Sequence, residues 1–366
     1  MTKINILSQG RFHMLDLARE LDHLGFDTKF YSFVPSSRCR KFGLSSKCTV
    51  SLFWMIAPFI FIKRICPSLY WIQIKMQDFI MGIFMRKCDV CISLTGFTYA
   101  PTRAKHRGAI VIIERGSKHI LEQKKILEQN PQKNKTVIPS RNIQYNLIAY
   151  RLADFISVAS QHVKESFLLH RYPENKIFVN PYGVDLSMFK PLPNTPKKYD
   201  IIMVGGWSYQ KGCDLIIDAI RKTNYSFIHV GAISDLDFPN EKNFTQIDPV
   251  DQSKLIQYYN QAKIFIFPSR QDGFGMVLSQ ALACNLPIIG SLNCGAPDLK
   301  QMVELPEYIT IIEDYTIDAV VTALHTAMKN YEQLKGQIYA GGAIKNLTWE
   351  AYGKRYAEFL HKITEQ

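Results

Sequence analysis

Apolar residues recur along this chain in two rhythms, and each predicts a different element. KINILSQ (3–9) reads as a short strand, HMLDLARELDHLG (13–25) carries apolar residues at helical spacing and stops at Gly25, and FDTKFYSF (26–33) alternates as a strand. That is a βαβ opening. Further strands are expected at DVCISL (89–94), AIVIIE (109–114) and FISVAS (155–160), with helical stretches between them. The alternation argues for a parallel sheet covered by helices, a doubly wound domain.

Around 180–200 the rhythm breaks into NPYGVDLSMFKPLPNTPKKYD, where prolines and turn formers mark a linker. The alternation then restarts: strand DIIMVGG (200–206), helix GCDLIIDAIRKT (212–223), strand YSFIHVG (225–231), helix QSKLIQYYNQA (252–262), strand KIFIFPS (263–269), a helix from Met276 and strand PIIGS (287–291). A second sheet of the same type is expected. Two such sheets facing each other turn the carboxyl ends of their strands toward one crevice, where ligands of this architecture bind.

Length agrees, since 366 residues exceed what one core usually serves. Charge is divided unevenly: residues 1–190 hold 28 Lys and Arg against 13 Asp and Glu, a balance of +15, and the remainder hold 16 against 19, a balance of −3. The eight cysteines have no framework spacing, and CDVC (88–91) has no second pair to complete a zinc site, so reduced structural thiols are expected. The opening MTKINILSQG lacks the pattern of a secretion signal, which favours the cytosol. The apolar run VSLFWMIAPFIFI (50–62), followed by Lys63 and Arg64, is shorter than the roughly 20 residues of a spanning helix. In a basic domain it suggests peripheral docking on an anionic membrane, with an ordinary buried helix as the other reading. No nucleic-acid-binding module is present, and nucleic acid is not an expected partner.

The candidate chemistry lies in loops at strand ends. RQDGFG (270–275) follows one strand, and the helix from Met276 follows it. Gly273 and Gly275 permit left-handed backbone and close approach, and the free N–H groups at Met276 and Val277 suit phosphate oxygens. Gln280, one turn along, can pair with two hydroxyls; Asp272 accepts from sugar hydroxyls or faces developing positive charge. A diphosphate between two hydroxyl-bearing groups fits this layout, and a helix capped by Asp272 with Gln280 merely solvated fits it as well. The loop VGGWSYQKG (204–212) repeats the logic with Gly205, Gly206 and Lys211, whose ammonium would neutralise a leaving phosphate. SQGRF (8–12) ends the first strand opposite, where Gly10 would let backbone approach the same phosphates.

These residues resemble the GT-B glycosyltransferases of family four. Pro268 to Pro287, PSRQDGFGMVLSQALACNLP, follow the family's P-S-x-x-E-G-F-G-x-x-x-x-E-A-x-A-x-G-x-P; NPYGVD (180–185), KG (211–212), HVG (229–231) and LTWEAYGKRYAEFL (347–360) add further matches. The resemblance implies an α/β, GT-B fold of two facing Rossmann-like, doubly wound domains: an acceptor-side domain 1–190, a donor domain 191–346 and a C-terminal helix 347–366 packing back on the first. It implies that Asp272 contacts the donor sugar, that backbone from Phe274 to Val277 meets sugar and diphosphate, that Gln280 holds the ribose and that Lys211 stabilises the leaving diphosphate. Three departures stand out. Asp272 and Gln280 replace the family's two glutamates, Gly206 replaces its arginine, for which Arg11, Arg115 or Arg270 could substitute, and Glu114 in IIERGSKH (112–119) stands where the family has His of His-Asp. Glu114, Arg115, Ser117 and His119 are acceptor-side candidates, with Glu114 as a catalytic candidate and a plain Glu114–Arg115 pair as the bland reading.

The implied function is retaining transfer of a sugar from a UDP- or GDP-linked nucleotide-sugar to a glycan or lipid-linked acceptor in surface polysaccharide or glycolipid synthesis. No cofactor and no metal are expected, since no Asp-x-Asp element sits in a suitable loop. A nucleotide-sugar epimerase of the same fold and a non-catalytic nucleotide-sugar binder are the alternatives.

Overall fold

Strands buried on both faces must be covered twice, and helices between consecutive parallel strands do this. The computed structural model of the protein describes residues 1–56, 70–131, 137–334 and 344–365. Strands β1 (Lys3–Ser8), β2 (Asp27–Ser32), β3 (Thr49–Ser51), β4 (Val90–Leu94), β5 (Ile110–Arg115), β6 (Phe155–Val158) and β7 (Ile177–Val179) form one sheet in the order β3-β2-β1-β4-β5-β6-β7. Strands β8 (Tyr199–Val204), β9 (Phe227–Val230), β10 (Phe244–Ile247), β11 (Ala262–Phe267), β12 (Ile288–Ser291) and β13 (Ile309–Ile312) form a second, ordered β10-β9-β8-β11-β12-β13. All pairings in both sheets are parallel, with Ile4 opposite Val90 in the first and Ile264 opposite Ile201 in the second.

The strand order reverses between β1 and β4 in one sheet and between β8 and β11 in the other. Such a switch point leaves a crevice at the carboxyl ends of the strands, because the flanking connections depart to opposite faces. The loops 8–12, 204–212 and 270–275 each leave a strand bordering one of these points, and the loop after Arg115 leaves β5, one strand further along.

The expected central strands and the helices Phe12–His23, Cys213–Thr223, Gln252–Gln261 and Met276–Ala283 are present, displaced by a residue or two at their ends. The strands not foreseen are β3, β7, β10 and β13, which are the four sheet edges. Their residues are largely half-buried, so they lack the continuous apolar run that betrays a central strand.

The last helix, Trp349–Thr364, starts at a Thr348 cap whose hydroxyl accepts from the Ala351 N–H at 3.1 Å. It lies on the first sheet's side: Phe359 stacks on Phe178 with centroids 4.1 Å apart, and Gly353 passes so close to Glu20 that a Cβ would collide with it. It also grips the linker, Arg355 donating to Asn180 Oδ1 and to the Pro181 carbonyl, each at 2.8 Å, while Val184 N–H donates to the Leu347 carbonyl at 2.7 Å.

Candidate functional site

Between the two switch points lies a cleft of about 520 Å³. On the second domain's side the turn Gln271–Gly275 sets the geometry. Gly275 has φ +79°, a left-handed conformation that lets the chain enter the helix Met276–Ala283 with no side chain capping it. Asp272 therefore is not the helix cap: its Oδ1 accepts from the Phe274 N–H at 3.0 Å, ahead of the helix, and its Oδ2 pairs with Lys211 Nζ. The first turn at Met276 and Val277 faces the cleft. Gln280 lines it from the same helix, its Oε1 accepting from Tyr259 OH at 3.0 Å. Burial pushes the Asp272 carboxyl up, but the Lys211 ammonium and the Phe274 N–H outweigh it and hold the group below its ordinary range.

Lys211 reaches the cleft from one turn of 3₁₀ helix, Tyr209–Lys211, after β8, and Gly205 lines the cleft at φ +132°. The neighbouring helix end behaves differently from the expectation. The N–H groups of Lys211, Gly212 and Cys213 are spent on the carbonyls of Ser208 and Tyr209, and Gly212 packs against the Pro268 carbonyl. One helix start, at Met276, is open to the cleft; the one at Cys213 is sealed by its own turn.

The first domain supplies the facing wall. Gln9, Phe12 and His13 come from the end of β1 and the following helix, Leu94 and Thr95 from the end of β4, Arg115, Gly116 and Ser117 from the end of β5, and Tyr182 from the linker. Arg115 is buried and aimed by four hydrogen bonds, among them Nη1 to Asn146 Oδ1 at 3.0 Å and Nη2 to Gln123 Oε1 at 2.7 Å. Ser117 Oγ accepts from Gln271 Nε2 and Lys118 Nζ donates to Asn293 Oδ1 at 2.6 Å, so this loop also latches the two domains together. Below it Ser160 Oγ donates to the Gly273 carbonyl at 2.6 Å, and Gly273 lies so close to the Gly116 carbonyl that no side chain fits between.

Several expected residues stand elsewhere. Glu114 is buried behind the wall and is not among the cleft's lining; it accepts from Tyr356 OH at 2.8 Å and pairs with His13 Nε2 at 3.1 Å. Burial raises its carboxyl, but the hydrogen bonds from His13, Ser157 and Tyr356 bring it below the ordinary value. Glu114 is thus an ionised support for His13 rather than a group facing a reactant, and it does not pair with Arg115. His119 is buried against His170, ring centroids 4.0 Å apart, and burial with that neighbour lowers its imidazole to about 3, a neutral packing residue. Gly10, Phe274 and Gly206 do not line the cleft; Gly206 is exposed, with open space where a side chain would begin.

Of the arginines considered for the missing charge, Arg270 is held by both oxygens of Asp214 at 2.6 and 2.7 Å, and Arg11 lies over the Phe42 ring and donates to Gln252 Oε1 at 3.1 Å. Arg115 is the one of the three in the cleft. The residues the sequence reading missed are Gln9, Phe12, His13, Leu94, Thr95, Gly116, Tyr182, Val204 and Phe267; a strand-end position was the one available signal for Gln9, Leu94, Thr95, Gly116, Val204 and Phe267. Among the described residues no group of three or more His, Cys, Asp or Glu is placed to hold a metal ion, and no helix is long and apolar enough to cross a membrane. Of the apolar run 50–62 and the Lys63 and Arg64 after it, residues 57–64 lie outside the described residues.

The family model described as glycosyl transferases group 1 matches residues 186–342. A probable sucrose-phosphate synthase of Thermosipho melanesiensis is 25% identical over 250 residues, 61% of this chain and 58% of that protein, so the match spans under two thirds of the relative's length. Among solved structures, a sucrose-phosphate synthase from Thermosynechococcus elongatus superposes with a TM-score of 0.67 at 14% identity, covering 99% of each chain. HepE of Anabaena in complex with UDP-glucose gives 0.64 at 13% identity over 99% of this chain and all of that one, 100%. Two parallel sheets meeting at their switch points, the uncapped turn at 272–276 and these likenesses converge: residues 186–342 match the glycosyl transferases group 1, and the chain has a GT-B fold.

Proposed function

We propose that the protein is a retaining glycosyltransferase, moving a sugar from a nucleotide-diphosphate donor to a glycan or lipid-linked acceptor in surface polysaccharide or glycolipid synthesis. One observation carries this reading: Lys211, Asp272, the open helix start at Met276 and Gln280 meet on one wall of a single cleft. Its volume falls within the roughly 300–1,000 Å³ usual for small-molecule sites. The UDP-glucose complex of HepE, a protein of the same fold, supports a nucleotide-sugar as donor.

In this reading the diphosphate lies against the N–H groups of Met276 and Val277, with Lys211 Nζ shared between the leaving phosphate and Asp272. The acceptor hydroxyl enters on the face from which the diphosphate departs. The bond between acceptor oxygen and anomeric carbon forms as the bond from that carbon to the phosphate oxygen breaks, and the acceptor proton passes to the departing diphosphate. The protein orients the reactants and offsets leaving-group charge, with neither cofactor nor metal ion in its part of the step.

Docking of the basic first domain on an anionic membrane belongs to the same proposal. It is supported by exposed apolar side chains at Trp54, Ile72, Phe79 and Phe84, and binding to phosphatidylglycerol but not phosphatidylcholine vesicles is the expected result.

Product analysis with a panel of UDP- and GDP-sugars and candidate acceptors tests the central claim. A glycoside with the donor's anomeric configuration is expected. A new free nucleotide-sugar would indicate an epimerase, and binding without turnover a non-catalytic binder.

A further inference from the structure

Tyr182 stands in the linker between the domains, within NPYGVD (180–185), and lines the cleft, although the sequence reading gave it no role. Its ring is wedged in place, stacked on His13 with centroids 4.3 Å apart and edge-on to Phe274 at 5.8 Å. His13 is fixed in turn by Glu114, so the ring has no freedom to seek another partner. The phenol oxygen is buried and makes no hydrogen bond within the protein. Leaving a buried hydroxyl unpaired costs free energy, and native structures rarely do so without a reason.

Other buried hydroxyls without a partner occur among the described residues, at Thr28, Tyr150, Ser279 and Tyr352, but of these and Tyr182 only Tyr182 borders the cleft. A second feature points the same way. The residue in front of the phenol is Gly116, which also lines the cleft, and a Cβ there would stand 3.2 Å from the Tyr182 oxygen. Glycine thus spares the phenol a close contact that any other residue would make. Burial, with the carboxylates of Glu114 and Asp272 nearby, raises the phenol well above its ordinary value, so it stays protonated and can both donate and accept.

We propose that the Tyr182 hydroxyl hydrogen-bonds one hydroxyl of the transferred sugar and so makes Tyr182 a specificity-determining residue of the donor site. The inference rests on the glycosyltransferase reading and deepens it. The negative charges of Glu114 and Asp272 both act on the phenol and disfavour a diphosphate beside it, which is why an uncharged sugar hydroxyl is chosen. A site built to bond a sugar hydroxyl discriminates strongly against the analogue lacking it, because the protein group is then left unpaired.

The test is Tyr182→Phe, which removes one oxygen and keeps the ring packing. For the nucleotide-sugar that the wild type turns over, kcat/KM is expected to fall about tenfold to a hundredfold. Affinity for the parent nucleoside diphosphate should stay unchanged, and Tm should not fall, since no protein hydrogen bond is lost. Selectivity against the deoxy-sugar donor lacking the contacted hydroxyl should shrink. A lower Tm with unaltered kinetics would make the residue structural and overturn the proposal, and so would a change confined to acceptor KM. If the wild type binds neither UDP- nor GDP-sugars, the transferase reading itself fails; if it binds one and the variant binds it equally well, this inference alone fails.

Discussion

The second domain's wall of the cleft draws Asp272, Gly275, Met276, Val277 and Gln280 from one turn and the helix after it, joined by Phe267 just before that turn and by Val204, Gly205 and Lys211 from the end of β8 onward, whereas the first domain's wall is gathered from the ends of β1, β4 and β5 and from the linker. Backbone conformation does the work on the first of these walls: a left-handed Gly275 opens a helix start, and the side chains follow from helical spacing. On the other, side chains are held by partners distant in sequence, as His13 is held by Glu114, 101 residues away. A wall made mostly from one segment can be altered locally, while a wall made from many responds to changes well outside the cleft.

The largest effect should come from the local wall. Lys211→Ala removes the ammonium proposed to offset the leaving group's charge and should lower kcat by about 10²–10³ with little change in circular dichroism. Steady-state turnover with the best donor checks it, and near-normal kcat would remove Lys211 from the mechanism.

Next is a pH effect on the junction between the walls. Asp298 in the helix Ala296–Met302 accepts from the Gln161 N–H of the first domain at 2.9 Å. Burial, with Glu165 nearby, raises its carboxyl from 3.8 to about 6. A raised acid gives its full stabilisation below pH 4, where both folded and unfolded chains hold the proton. Between pH 4 and 6 the unfolded chain loses its proton first, so stability drops by up to about 3 kcal/mol and then levels off. Asp298→Asn keeps an acceptor without the titration. Its stability relative to wild type, from urea unfolding, should therefore rise from pH 4 to pH 7, and a difference independent of pH would contradict this assignment.

The same junction can be broken sterically. Gly273→Ala would drive a methyl into the Gly116 carbonyl and force the walls apart. A loss of about 1–3 kcal/mol in stability is expected, with weaker sugar-nucleotide binding in the same calorimetric sample; an unchanged melting temperature would show that the walls can slide.

What the sequence made legible follows the same division. The central strands and the turn at 272–276 were readable because each is specified by neighbours in sequence: apolar runs for β8 and β11, glycines and a helix-forming stretch for the turn. The edge strands β3, β7, β10 and β13 were not, since a half-buried edge needs no apolar run. The helix start at Cys213 looked like the one at Met276 until the turn at Ser208 and Tyr209 was seen to absorb its N–H groups. His13 carried no local mark, and Tyr182 stood in NPYGVD without being singled out as a site residue. Their place depends on Glu114 and on a ring stack across 169 residues of chain, and contacts of that kind leave no periodicity to read.

The mildest change should sharpen the contrast. Gln280→Glu restores the acid that similar enzymes carry while keeping the oxygen that accepts from Tyr259 OH at 3.0 Å. A carboxylate bonds hydroxyl donors more strongly than a carboxamide does, by about 1 kcal/mol, which amounts to a few-fold lower KM for the donor. Desolvation works against this, since Gln280 is only 9% exposed, but the open helix start at Met276 lies one turn before it on the same face and favours negative charge. Because this wall is local, the gain should be confined to donor KM, with kcat, acceptor KM and melting temperature unchanged. A shift in acceptor KM of similar size would mean that the two walls are coupled through Tyr259 and the helix Gln252–Gln261, and that the division drawn between them is too sharp.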